Sequence, residues 1–477
     1  MQLVAIFLGK LNLNNNLKIM KTLAISFKPK HLPAPYYASL LGALVTTSLS
    51  LWLGEQDWAQ QNTLKLGWLV IGQYSLLAVF MLTAWLTGPQ TNTIRDFRWL
   101  IIAAIAARIL LVPIQPYTSN DSDRYLFDGK ITVSGFDPYR VSHDAKSFEA
   151  LRTEWPTPSE HAKYTTLYPP LALGLFSLAA STGPDYALLT WKVLVTMAGI
   201  GTLLFMILVL KQYGKLPHIA LVALSPILIL ETGESAHIDS FSALAVSASL
   251  YFWLNKRLFI CGIVIGLGVL SKMLPLLLLI PFIFSLKRFS SVFVMGFGTF
   301  FTLVSGYGLA YLFGLQPIGS IGTFFNKWRN GSPLFNFLES SLSPTLLLVC
   351  LALLVIVGFA SVAYFSWRDN GKFKRLNPRT LQWSLMIPLL ITPVIFPWYL
   401  MPLVPLFALS PNIFMLLWFV LLPLSYEVLN QFACCNVWQP ASWPITLLAT
   451  GLVFGLLVDR FIVVTYKIGI KTNVKTA

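Results

Sequence analysis

The stretch richest in reactive side chains is Asn120-Asp121-Ser122-Asp123-Arg124-Tyr125-Leu126-Phe127-Asp128-Gly129, followed closely by Gly135-Phe136-Asp137-Pro138-Tyr139. Carboxylates that are ionised at neutral pH suit general-base work, taking the proton of a hydroxyl as it attacks. Asp121 and Asp123 are the candidates for that role. The same spacing also fits a solvated acidic loop built on Asx-turns, with Arg124 paired to Asp121 or Asp128. Residue types alone leave both readings open.

A second group is Glu231-Thr232-Gly233-Glu234-Ser235-Ala236-His237-Ile238-Asp239, set between two short apolar runs. Ionisable residues at membrane depth are costly and point to function. The group reads as a polar, substrate-facing junction, with His237 and Asp239 as its candidates. Its spacing fits no familiar metal-ligand motif, and no metal is assigned to it. Several cations accompany these groups. Lys272 interrupts the apolar run between Gly262 and Ile283 without an acidic neighbour, Arg108 lies near the end of another run, and Lys327 and Arg329 flank Trp328. Each alone suits an interfacial anchor; jointly they suit a phosphate beside a lipid tail. Pro397-Trp398-Tyr399 fits an aromatic belt. Four Cys, including the vicinal Cys434-Cys435, form neither a disulfide framework nor a C-x-x-C spacing.

The elements that must position these groups follow from composition. Of 477 residues, 56% are hydrophobic and 11% charged, whereas a soluble domain carries about 25% charged residues. That excludes a disordered chain, a collagen-like fibre and an ordinary soluble enzyme. The net charge of +15 does not point to nucleic acid, because the basic residues sit beside apolar runs, where positive charge encodes membrane orientation. The expected fold class is an all-α polytopic membrane protein with about 14 transmembrane helices, in the range 11–14. Long runs are 36–53, 64–87, 97–114, 185–210, 291–313, 342–366, 380–396 and 443–465; shorter ones are 218–232, 237–254, 257–271, 272–286, 399–411 and 412–426.

Placing the N-terminus in the cytoplasm puts about two thirds of the Lys and Arg on the inner side, accompanied only by Asp96, Asp369 and Asp459. The organisation is then a basic tail over 1–35, a single transmembrane catalytic domain over 36–466 and a second tail over 467–477. Outer loops 115–184 and 314–341 exceed the roughly 12–15 residues of a simple connection. The apolar run 169–181 reads as a helix lying in, or re-entering, the outer interface.

In this order the pieces resemble the "DD-x-x-RY-x-(W/F)-DG … G-x-NPY" run of bacterial multispanning mannosyltransferase-like proteins of the GT-C glycosyltransferase superfamily. Tyr168-Pro169-Pro170, His237-Ile238-Asp239, Ser271-Lys272, Trp328…Asn330-Gly331-Ser332 and Pro397-Trp398-Tyr399 continue the likeness, over about residues 97–400. One departure matters. The family's acidic pair falls here on Asn120 and Asp121, and Asp123 is an additional carboxylate directly before Arg124.

The resemblance implies a GT-C-like fold and an inverting transfer of a sugar, mannose by the family's usual label, from a polyprenyl-phosphate donor to an acceptor hydroxyl at the outer membrane face. Asp121 is then the base, with Asp123 beside it. Arg124, Lys272, Arg329 and Arg108 are candidates to hold the donor phosphate, and Asp128, Tyr168, His237, Asp239, Trp398 and Tyr399 to line the substrates. A phosphate leaving group needs cations rather than a general acid, so one carboxylate suffices, unlike the two of a glycosidase. No cofactor is implied beyond the lipid-linked donor. The expected partners are the bilayer, that donor and a glycan, lipid or protein acceptor. The expected location is the bacterial cytoplasmic membrane. The rival reading from the same polytopy is a transporter or flippase of a lipid-linked sugar, whose charges belong near the bilayer midplane; here they cluster at one face.

Overall fold

The computed structural model describes residues 33–55, 65–157, 162–320, 322, 328–369, 376–435, 438 and 440–475. The basic tail before residue 33 and Lys327 lie outside these, as do the side chains of Cys434 and Cys435. Regular structure among the described residues is helical, with one isolated parallel bridge between Asn330 and Val394.

The helices are α1 (Ala34–Leu53), α2 (Leu66–Thr87), α3 (Arg98–Leu110), α4 (Asp121–Val133), α5 (Pro170–Ala180) and α6 (Pro184–Tyr213). Then come α7 (Ala220–Ala223), α8 (Pro226–Gly233), α9 (Asp239–Leu254), α10 (Leu258–Ser271), α11 (Leu279–Ser285) and α12 (Phe289–Leu312). The last are α13 (Pro333–Ser341), α14 (Pro344–Arg368), α15 (Pro378–Ile391), α16 (Val404–Leu409), α17 (Ile413–Leu421), α18 (Leu429–Cys435) and α19 (Ser442–Lys475). Pro170, Pro184, Pro226, Pro333, Pro344 and Pro378 each open a helix. A proline there gives up only an N–H that would lack a partner anyway, and its fixed φ already suits the first turn.

Eight segments are long and apolar enough to cross a membrane: 34–53, 66–87, 184–213, 216–233, 289–312, 344–368, 413–432 and 442–461. The chain is a polytopic membrane protein. The other six expected spans are present as shorter helices or helix pairs, among them α3, α9, α10 and α15. Burial sorts the long ones. Leu216–Gly233 has 89% of its apolar window inside the protein, whereas Pro344–Arg368 has 11%. The first is the middle of the bundle and the second faces lipid on nearly all sides.

The distance between the two ends of the bundle can be read along α6. Near its start Trp191 donates Nε1–H to the Ala236 carbonyl at 2.8 Å, beside His237. Near its end the Lys211 carbonyl accepts from Asn92 at 2.9 Å, where Lys215 and His218 also bond to the Leu409 and Ala408 carbonyls. Twenty residues of helix at 1.5 Å each span about 30 Å, one hydrocarbon core. The His237 junction and the cationic end thus lie about one bilayer apart.

The stretch 121–133 is a helix, not the acidic Asx-turn loop that its composition also allowed. Helix α4 buries Arg124, Tyr125, Phe127, Asp128 and Ile131 and packs on α5. At the crossing, a Cβ on Gly129 would stand 2.3 Å from the Phe176 carbonyl oxygen, so only glycine permits the approach. Around this pair the segment 115–184 has its own apolar core of Tyr125, Phe127, Tyr139, Phe148, Trp155 and Phe176. Asp128 lies inside it, fully buried, 2.7 Å from His143 Nε2 through one oxygen and accepting from the Thr166 hydroxyl at 2.7 Å through the other. Asp128 therefore ties the loop strands to α4.

Candidate active site

Helical spacing decides which carboxylate of α4 joins the site. Residues three, four and seven apart share a face, so Asp121 shares one with Arg124, Tyr125 and Asp128. Asp123, two residues on, is turned by about 200° and points elsewhere. The Asp121 side chain keeps 18% of its surface exposed. The Tyr125 hydroxyl lies 3.4 Å from Asp121 Oδ2. Burial, then the Asp121 carboxylate, push the Tyr125 phenol well above its usual range, so it remains an O–H donor. Arg124 is 4% exposed. Its guanidinium sits 5.7 Å from the centroid of Tyr168, with Asp128 and Asp121 acting on it through space. No hydrogen bond or ion pair joins Arg124 to the other described residues. A buried guanidinium of this kind is costly without an anion.

The junction after α8 brings the second group to the same place. Ala236 adopts φ +56°, a left-handed turn that an L-residue tolerates only when held, and the Trp191 indole holds its carbonyl. The turn points His237 inward. Its Nδ1 stands 3.6 Å from Asp121 Oδ2 and its Nε2 3.4 Å from Glu231 Oε2. The ring stacks on Trp398, with centroids 3.9 Å apart and planes 16° apart. Trp398 in turn stacks on Phe396 at 4.4 Å. Three aromatic layers thus fix the imidazole plane.

Lys272 finds the acid that its sequence neighbours lack. It follows the last turn of α10, and its Nζ bonds both oxygens of Asp239, at 2.7 and 2.6 Å. The same ammonium lies 4.3 Å from the Tyr399 ring centroid. Asp239 opens α9 and is 2% exposed. Its carboxylate neutralises most of the Lys272 charge, leaving Arg124 as the cation of the group with no bonded carboxylate among the described residues. The structure therefore gathers Asp121, Arg124, Tyr168, His237, Asp239, Lys272, Trp398 and Tyr399.

Four other candidates are placed differently. Asp123 is on the far side of α4, and Asp128 is enclosed in the loop core. Arg108 is fully buried and donates to the backbone carbonyls of Ala104, Ala223 and Val222. It holds α7 against α3, apart from the cluster around Asp121. Arg329 is an exposed residue whose guanidinium pairs with Glu339 at 2.9 Å, close to the Asn330–Val394 bridge. Among the described residues, no three His, Cys, Asp or Glu side chains are grouped to hold a metal.

Residue-type reasoning passed over Tyr125 and Glu231 as site members and missed Tyr74 and Tyr426. Glu231 Oε1 accepts from Tyr74 at 2.6 Å and from Tyr426 at 2.7 Å. These tyrosines come from α2 and from the turn Leu422–Val428, far apart in sequence and inside apolar runs. Nothing local marked them.

The site and the spans coincide with a known family. The family model described as the N-terminal domain of alpha-(1->6)-mannopyranosyltransferase (MptA_B family) matches residues 36–287. That is more than half of the chain, and it covers every clustered residue except Trp398 and Tyr399. No curated protein and no solved structure matches the chain. The chain belongs to the alpha-(1->6)-mannopyranosyltransferase family.

Proposed function

We propose that this protein is an inverting mannosyltransferase of the GT-C type, taking mannose from a polyprenyl-phosphate donor to an acceptor hydroxyl at the outer face of a bacterial cytoplasmic membrane. One observation carries the reading. A partly exposed carboxylate, Asp121, and a buried guanidinium with no hydrogen-bonded anion among the described residues, Arg124, lie one helical turn apart on the same face of α4.

The chemistry balances with these two groups. The acceptor oxygen attacks the anomeric carbon while its proton passes to Asp121. The bond from that carbon to the phosphate oxygen breaks, and its electron pair leaves with the phosphate. Arg124 stabilises the charge that develops there, in a site of low dielectric where such stabilisation is strongest. A base of this kind contributes about 10²–10⁴-fold. Tyr168 and Trp398 flank the sugar, and the Lys272–Asp239 pair holds the opposite wall. Because the attack inverts, an alpha-linked product requires a beta-linked donor.

The test incubates purified protein and its Asp121→Asn variant with labelled polyprenyl-phosphate-mannose and a membrane-lipid extract. Wild type releases label from the donor and forms an alpha-mannosidic product, seen by NMR. The variant binds the donor but falls at least about 10²-fold in rate. Transfer at equal rates by both proteins, or movement of the donor across a bilayer with no new glycosidic bond, refutes the reading.

A further inference from the structure

The transfer as written needs one base and one cation, yet His237 stands between Asp121 and a second, deeper acid. The ring is fully buried, where the charged form is disfavoured, and it is neutral on that ground. A neutral imidazole has one N–H and one lone pair. Here it faces carboxyl oxygens on both sides, Asp121 at 3.6 Å from Nδ1 and Glu231 at 3.4 Å from Nε2. With the Tyr125 hydroxyl donating to Asp121 Oδ2 at 3.4 Å, one of the two acids supplies the second proton.

Position separates them. Asp121 opens toward solvent at the start of α4. Glu231 is fully buried near the end of α8, and its one close ionisable contact of opposite type is His237 itself. Its other oxygen already accepts the Tyr74 and Tyr426 hydroxyls. A carboxylic acid uses this setting fully. Its carbonyl oxygen takes both phenols and its O–H is left to meet Nε2. Neither Glu231 Oε2 nor His237 Nε2 makes a formed hydrogen bond, and the Ser235 hydroxyl is the other polar group acting on the Glu231 carboxyl. The remaining charges around the ring do not reverse the assignment: Lys272 is paired with Asp239, and Glu234 is acted on by Lys192. The Tyr125 hydroxyl, 3.5 Å from Nδ1, also reaches Asp121 Oδ2.

We infer that Glu231 is a positioning residue, held as the neutral carboxylic acid, whose O–H fixes His237 in the tautomer that presents Nδ1–H to Asp121. The inference rests on the reading of Asp121 as the base. His237 and Tyr125 then both donate to Oδ2, which leaves Oδ1 to take the acceptor proton. During transfer that proton goes to Asp121, the electron pair of the broken bond goes to the phosphate, and His237 and Glu231 keep their own protons. The two contacts exceed a formed hydrogen bond by about half an ångström, a gap common in catalytic sites before substrate binds.

The test compares Glu231→Gln with Glu231→Ala. The amide can donate N–H to Nε2 and accept both phenols, so it reproduces the protonated acid; alanine does neither. Glu231→Gln keeps kcat within about threefold of wild type, and Glu231→Ala lowers it at least about tenfold with donor KM nearly unchanged. Equal losses in both variants overturn the inference. Infrared difference spectra of wild type minus Glu231→Gln in nanodiscs at neutral pH provide a readout independent of transfer. They show the carbonyl band of a protonated carboxyl group, and absence of that band overturns the inference even if both variants are active. A band present alongside a fully active Asp121→Asn variant refutes the Asp121 reading and, with it, the positioning role.

Discussion

The most demanding single residue is Arg124, because the surrounding structure supplies its aromatic platform but no bonded anion. Replacing it with lysine keeps one positive charge but loses the planar fork that binds phosphate through two parallel bonds. Arg124→Lys is expected to raise the donor KM at least about tenfold, with a melting temperature close to wild type; an unchanged KM would move the phosphate elsewhere. Asp239→Asn tests a neighbouring pair. It leaves Lys272 facing a neutral amide, which costs about 2 kcal/mol for a pair that is only partly shielded from water and lowers the midpoint of thermal unfolding in detergent. Much of the site's membership was legible at this scale, because costly residue types inside apolar runs, such as Lys272 and Asp239, stand out in any sequence. Their pairing was not. Lys272 and Asp239 are 33 positions apart, and only the turn between α8 and α9 and the end of α10 bring them to 2.6 Å.

Elements set how firmly those residues are held. The crossing of α4 and α5 depends on Gly129, whose missing side chain lets the Phe176 backbone approach. Gly129→Val has no flexible neighbour to displace, so the helices must separate, at about 1–3 kcal/mol. The expected result is a lower melting temperature together with a fall in kcat, since Asp121 sits two turns earlier on the same helix. A fall in melting temperature without any change in kcat would mean that the crossing does not position Asp121. Helix α4 was hard to see in advance. Its buried face carries Arg124 and Asp128 among apolar residues, so hydrophobic periodicity does not outline it, and its Asp- and Ser-rich start equally suits turns. The long apolar helices were plain, while the short ones were recognisable only as interrupted runs. Six of them fall below the length of an untilted crossing, which is how a polar junction such as Glu231–Asp239 can lie within the bundle rather than on its surface.

Over the whole molecule, the arrangement separates two ends by one bilayer thickness, and the proposed function puts the Asp121 end outside. The end with Asn92, Lys211 and Lys215 collects cations, while the end with Asp121 and His237 lies under the loop 115–184, which the proposal places outside. Single cysteines in a chain whose four native cysteines are changed to serine test this directly. A membrane-impermeant maleimide added to intact cells is expected to label a cysteine replacing exposed Ser147, in the outer loop. Cysteines replacing Gln90 or Asn255, exposed at the opposite end, should react only after permeabilisation. The outcome bears on the donor as well as on topology. Nucleotide sugars are made and kept inside the cell, so a site facing outward must draw its sugar from a carrier that crosses the membrane, and a lipid phosphate beside Arg124 meets that need. Labelling in the reverse order would place Asp121 on the cytoplasmic side. A nucleotide donor would then be within reach, and the requirement for a lipid carrier would lose its physical reason.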